Sequence, residues 1–202
     1  MIDLMKTHLT ALALVLSADA LAASDLSPSK DASKPNVIVI MTDDQGNNVG
    51  YEGNPHVRTP HMDKMAGEAV RLTNFHQMPM CTASRAALMT GKYAEQTGAW
   101  RTSLGRTLMR ADNVTIAEAF KANGYETGHF GKWHLGEKNS GRFDIWEGFN
   151  SHGGHWIDGK QSFQGGKYKS YEYNDLFIKF LKSPQSKKKP FVGVISYYPP
   201  HN

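Results

Sequence analysis

An α/β domain with a mainly parallel sheet, flanked by helices on both faces, is the fold class this sequence predicts. Two observations carry that expectation. Apolar β-branched runs alternate along the chain with segments of helical periodicity, the pattern of parallel strands joined by crossover helices. Asp43, Asp44, Lys132, His134 and His201 each follow a predicted strand, and ligands of such sheets bind beyond the carboxyl ends of the strands.

Pro35-Asn36 opens the folded part. Val37 to Met41 reads as a strand buried on both faces, ending in Thr42-Asp43-Asp44-Gln45-Gly46. Thr59 as N-cap and Pro60 at the first helical position start a helix through Met62, Met65, Ala66 and Ala69. A strand at about Arg71 to Phe75 comes next. Ser84 to Met89 is a short helix with Cys81 at its amino end and Gly91 as its terminator. Thr115, with Glu118 three residues on, forms a capping box that opens a helix ending at Gly124. The strand Glu126 to Phe130 delivers Gly131-Lys132-Trp133-His134. A helix over roughly Asp175 to Lys182 precedes the strand Phe191 to Ser196, which delivers Tyr197-Tyr198-Pro199-Pro200-His201-Asn202.

At 202 residues, 40% hydrophobic and 21% charged, the chain can build one sizeable core of a soluble globular protein. Its start reads as a secretory signal peptide over 1–22. Lys6 supplies the positive region, Leu9 to Leu16 the apolar run and Ala20-Leu21-Ala22 the cleavage site. A polar terminus or linker over 23–35 follows, and export to the periplasm or the exterior is expected. The apolar run is too short to span a bilayer. A net charge of +4 could steer anionic substrates, yet apart from Lys187, Lys188 and Lys189 the lysines are scattered, so no nucleic-acid partner is inferred. With a single cysteine the chain holds no internal disulfide.

Adjacent carboxylates repel, and a cation between them is one remedy. Asp43-Asp44 therefore suggests a hard metal such as calcium or magnesium, the bland alternative being a solvated Asx turn before Gly46. Cys81 at a helix amino terminus meets unpaired N–H groups and a positive dipole end, which activate a thiol and suit a sulfate or phosphate. Arg85 lies one turn on and can offer a fork to an anionic oxygen. Taken singly, Cys81 could equally be a buried structural thiol, Lys132 a solvated lysine and His134 a satisfied loop histidine. Trp133 reads as packing, and His152 and His155 read equally as surface loop or as substrate contact.

Four blocks stand in order along the chain: Val37 to Gly46, Cys81 to Lys92, Gly131-Lys132-Trp133-His134-Leu135-Gly136, and Pro200-His201. Together they resemble the formylglycine-dependent sulfatases, which share the alkaline-phosphatase-like α/β architecture. The resemblance implies that Asp43 and Asp44 bind calcium. It further implies that Cys81, converted to formylglycine by a generating enzyme, touches the metal and attacks sulfur as a hydrated aldehyde. Arg85 would hold the nucleophile and metal shell, Lys132 would contact sulfate, His134 would take a proton from the second hydroxyl, and His201 would serve as acid at the leaving group. The implied substrate is an aryl or carbohydrate sulfate ester.

Ala83 stands where many members of that family have proline. Members are usually more than twice this length, so residues 36–202 are expected to be the amino-terminal part of a truncated catalytic domain with little or no activity alone. Within the superfamily a phosphomonoester or phosphonate-ester hydrolase is the enzymatic rival. A non-catalytic remnant binding calcium or a sulfated glycan is the other, and a thiol-nucleophile hydrolase a third.

Overall fold

The computed structural model describes residues 34–102, 108–136, 141–150, 155–160, 164–183, 186 and 188–201. The expected leader 1–22, most of the polar segment after it, His152 and Lys187 lie outside the described residues. From Pro35 onward the chain forms one compact unit.

Four strands form the sheet: β1 (Val37–Asp43), β2 (Glu126–Lys132), β3 (Ile145–Phe149) and β4 (Phe191–Pro200). Their spatial order is β1-β4-β2-β3, and every neighbouring pair is parallel. The last strand in sequence thus lies between β1 and β2, and all four carboxyl ends share one edge. Around the sheet stand α1 (Pro60–Glu68), α2 (Cys81–Thr90), α3 (Ala94–Thr97), α4 (Ile116–Ala122) and α5 (Lys169–Leu181). The parallel α/β class expected from the sequence is the one observed, and no helix among the described residues is long and apolar enough to cross a membrane.

Alternation along β4 divides the core in two. Val192 and Val194 pack with Ala86 and Met89 of α2, Ala117 of α4, Trp133 and Phe143. Phe191 and Ile195 turn the other way, onto Phe177 and Phe180 of α5 and Phe130 of β2. On this second face Gly128 and Gly193 are register partners, and a Cβ at Gly193 would come within 2.6 Å of the Phe177 ring. Glycine lets the α5 rings rest on the strands, and each phenylalanine buried this way contributes roughly 1.5–3 kcal/mol.

Thr115 and Glu118 form the expected capping box, the Thr115 N–H donating to Glu118 Oε2 at 2.7 Å. Thr59 precedes Pro60 as expected, but its hydroxyl caps nothing; it accepts from the Gly50 N–H at 2.8 Å and donates to Asp63 at 2.7 Å. Helix α5 starts earlier than Asp175, because Tyr173 joins Leu176, Phe177 and Phe180 in one i, i+3, i+4, i+7 stripe. Strands β2 and β4 run on past Phe130 and Ser196 to Lys132 and Pro200.

Three expectations are corrected. Arg71 to Phe75 is irregular, with a turn at Thr73 and Asn74, because among the described residues no strand pairs with it to complete a ladder. Strand β3 escaped the sequence reading, since Glu147 and Gly148 interrupt its apolar pattern. Strand β1 is not buried on both faces: Ile38 and Ile40 are 46% and 60% exposed, because none of the described elements packs over that side of the strand.

Two stability measurements follow from this packing. Gly131 has φ of 95°, and a Cβ there would lie 2.1 Å from the Ser196 carbonyl oxygen of β4. Gly131→Ala should cost at least about 2 kcal/mol, combining overpacking with left-handed backbone; an unchanged urea midpoint would contradict the observed β2–β4 approach. His129 is fully buried, stacked on Trp146 at 4.7 Å and edge-on to Trp133 at 5.2 Å, and neither ring nitrogen has a hydrogen-bond partner among the described residues. Burial, aided by the nearby Arg85 charge, lowers its pKa from 6.5 to about 3. Within that window the unfolded chain takes up a proton that the folded chain refuses. Stability from this group is therefore intact above pH 6.5 and lost as pH falls, by up to about 1.4 kcal/mol per unit. Urea unfolding at pH 7 and pH 5 should show the loss, and His129→Phe should flatten it.

Candidate active site

Because the strands are parallel, their carboxyl ends deliver side chains to one rim. Asp43 closes β1, Lys132 closes β2, and Ser196 and Tyr198 lie in the last part of β4. Helix α2 points its amino end at the same rim, with Cys81 as its first residue and Arg85 one turn in.

Arg85 is buried and joins three strands. One guanidinium nitrogen donates to the Lys132 carbonyl at 2.6 Å and to Ser196 Oγ at 2.5 Å, while another stands 3.6 Å from Asp43 Oδ2. Lys132 Nζ makes a close ion pair with the same Asp43 oxygen and lies 4.8 Å from the centre of the Tyr198 ring. Asp43, Arg85 and Lys132 are all nearly inaccessible, at 5%, 4% and 1% exposure. Burial lowers the Arg85 pKa, opposed by the Asp43 and Cys81 charges; a guanidinium remains protonated through such a shift. Burial raises the Tyr198 phenol, with Asp43 and Cys81 adding to the effect. The three buried side chains thus carry two cations against one carboxylate, and an uncompensated buried charge is costly unless another anion arrives.

Cys81 Sγ lies 3.1 Å from His134 Nδ1. Two residues after β2, His134 adopts φ of 60°, a left-handed conformation in which histidine is enriched among non-glycine residues. His201 is held through its backbone: its N–H donates to the Asp43 carbonyl at 3.0 Å and to the Tyr198 carbonyl at 3.2 Å, and its ring lies 5.0 Å from the Tyr198 ring.

The rim therefore brings together Asp43, Cys81, Arg85, Lys132 and His134, with His201 reaching it through Tyr198. Asp44 stands apart, exposed and left-handed at φ of 62°. Among the described residues no three His, Cys, Asp or Glu side chains converge as a metal site would require. Asp43, Asp44 and Cys81 do not form a set of three ligands, and Asp43 instead faces two cations. Trp133 is a core residue, as expected.

Sequence reading missed three participants. Ser196 is a small polar residue inside an apolar strand, and that exception was its only signal. Tyr198 followed a predicted strand without a role, and two of its ring partners, Phe149 and His155, are remote in sequence. His155, left open between surface loop and substrate contact, lies between the Tyr198 and Tyr168 rings.

Comparison with known proteins agrees with this arrangement. The Sulfatase family model matches residues 35–202. An ulvan-active sulfatase of Formosa agariphila is 33% identical over 222 residues, covering 99% of this chain and 43% of that protein. A structure of BT4656 in complex with its substrate D-glucosamine-2-N,6-O-disulfate superposes with a TM-score of 0.69 at 26% identity, covering 84% of this chain and 35% of that one. Another, Ps i-CgsB in complex with k-i-k-neocarrahexaose, superposes with a TM-score of 0.68 at 26% identity, covering 84% and 46%. The chain spans less than half the length of each of these three proteins. With four sequence blocks gathered on one rim and a family match from Pro35 onward, the chain belongs to the sulfatase family.

Proposed function

We propose that this rim is the amino-terminal part of a site that hydrolyses sulfate esters of sugars. The observation that carries the reading is the buried cluster of Asp43, Arg85 and Lys132, whose excess positive charge lies beside Cys81 and His134. Preorganised cations in a water-poor site stabilise charge developing on sulfuryl oxygens without reorganising. The sulfated substrates in the names of the similar proteins support a sulfated sugar as the ester.

Lys132 binds a sulfuryl oxygen from its position above Tyr198. Arg85 fixes the ends of β1, β2 and β4 so that Lys132 and Asp43 keep their places. His134 Nδ1 holds or removes a proton at the side chain of residue 81, the contact it already makes. His201, whose ring lies beside Tyr198, returns a proton to the departing alcohol in this proposal. Conversion of Cys81 by a formylglycine-generating enzyme would supply a hydrated aldehyde, one hydroxyl to attack sulfur and a second to release sulfate. Position 81 fits that group: it is partly accessible, at a helix amino terminus, and touches a histidine.

Calcium takes six to eight oxygen ligands, and the described residues gather fewer than three suitable groups. This donor set does not complete a calcium site by itself, so Asp43 and Asp44 are proposed as two of its ligands and no step above depends on the ion. Export through the leader at 1–22 belongs to the same proposal; amino-terminal sequencing of the secreted protein should begin after Ala22.

Two assays test the reading. In a host with the generating enzyme, mass spectrometry of the Cys81 peptide should show formylglycine. The chain extended by the carboxy-terminal portion that its relatives carry should hydrolyse 4-nitrophenyl sulfate faster than 4-nitrophenyl phosphate, and faster than this chain alone. A preference for phosphate would overturn the proposal. Lys132→Ala in the extended protein should lower kcat/KM for the sulfate ester by about 10²-fold or more. Retained activity would show that the buried ammonium does not meet the substrate.

A further inference from the structure

We propose that the cleft bounded by Trp156, Tyr168 and Tyr171 is a glycan subsite that holds an uncharged sugar ring of the chain bearing the sulfate ester. The proposal rests on the sulfate-ester reading and adds a second binding site to it. The cleft is open to solvent, has a volume of about 550 Å³ and is lined by Trp156, Gly166, Lys167, Tyr168 and Tyr171, an aromatic lining of the kind that receives one face of a small organic ring.

Its frame is built rather than incidental. Trp156 and Tyr168 pair in an antiparallel bridge, flanked by bonds from the Ile157 N–H to the Lys167 carbonyl at 2.9 Å and from the Lys169 N–H to the His155 carbonyl at 2.8 Å. Trp156 meets Tyr168 edge to face at 5.2 Å, and Tyr168 meets Tyr171 at 5.7 Å. Tyr171 nonetheless leaves 68% of its surface exposed, a large aromatic side chain held open to solvent at the mouth of the cleft. Aromatic faces carry negative potential and accept the polarised C–H groups on the face of a pyranose.

Ring contacts run from this cleft to the rim. The His155 ring stacks on Tyr168 at 5.8 Å and meets Tyr198 edge-on at 4.9 Å; Tyr198 in turn lies beneath the Lys132 ammonium and beside His201. His155 Nδ1 is buried along this path with no hydrogen-bond partner among the described residues. A linear glycan with its ester at Lys132 can therefore follow a continuous aromatic wall to Trp156.

The charges at the cleft select what it takes. The Lys167 ammonium is held by Glu172 and lies 3.5 Å from Asp175, so its charge is locally neutralised. A second sulfate would meet two carboxylates for one cation. The hydroxyls of a neutral ring, each both donor and acceptor, match that mixed rim instead.

Affinity electrophoresis in gels containing κ-carrageenan, ulvan or heparin, each intact and chemically desulfated, tests the assignment on the full chain. Wild type should be retarded by at least one polysaccharide, and measurably by its desulfated form. Tyr171→Ala should weaken both by about tenfold, with circular dichroism unchanged, whereas Tyr171→Phe should bind as wild type. Lys132→Ala should weaken only the sulfated form. Wild-type retardation by Tyr171→Ala overturns the subsite while leaving the sulfate reading intact. Loss of the sulfation dependence in no variant, with Tyr171→Ala still weakened, overturns the sulfate reading instead. Absence of retardation of wild type in every gel also overturns the subsite.

Discussion

A buried guanidinium organises this rim. Arg85 reaches from α2 under the ends of three strands and satisfies a carbonyl of β2, a hydroxyl of β4 and the carboxylate of β1 at once. Without it, three polar groups at the strand ends would lose a partner in a place water scarcely reaches, each at a cost of about 1–3 kcal/mol. Because the same carboxylate also holds Lys132, the cluster cannot be neutral: one negative group serves two cations. Packing that fixes the sheet edge thus also fixes a positive potential at the amino end of α2, next to Cys81. Structure and anion affinity come from the same contacts.

Much of this was legible in the residues themselves. Val37 to Met41 and Phe191 to Ser196 declared strands through apolar runs, and the Thr115–Glu118 box declared a helix start, because these signals are local. Placement of Asp43 and Lys132 at one rim followed from parallel strands alone, since parallel strands must end on the same side. What the chain concealed depended on partners distant in sequence. Arg71 to Phe75 has strand-like residues but no neighbour to pair with, while Ile145–Phe149 has a mediocre pattern and a ready neighbour in β2. Ion pairing was hidden for the same reason: nothing near Asp43 in sequence announces that Lys132 and Arg85 will occupy its oxygen. The adjacency of Asp43 and Asp44 was plain in the sequence, but not that Asp43 turns inward at the end of β1 while Asp44 is exposed in a left-handed conformation.

Aromatic residues divide between two tasks according to burial. Trp133, Phe143 and Trp146 enclose His129 and exclude water from one face of β2. Tyr198, His155, Tyr168 and Trp156 form a second series that rises from the rim toward solvent. The first series can use only apolar contact, which is why an enclosed histidine stays neutral there. Members of the second keep polar edges, and rings that are apolar on the face and polar at the edge suit a ligand of the same character.

Strand order couples the completion of this rim to the end of the described chain. Strand β4 is last in sequence yet central in space, and it supplies Ser196 to Arg85, the carbonyl that confines Gly131, and the Tyr198 ring beneath Lys132. β1 and β2 share no hydrogen-bonded pairing of their own, so the burial of Arg85 and Lys132 requires β4 between them. Its pairings with β1 and β2 join segments far apart in sequence, the kind of non-local parallel contact that costs the most loop-closure entropy. The strand that closes the sheet also supplies the hydroxyl that helps offset the desolvation of the guanidinium. The positive rim is therefore a property of the closed sheet and not of any one segment.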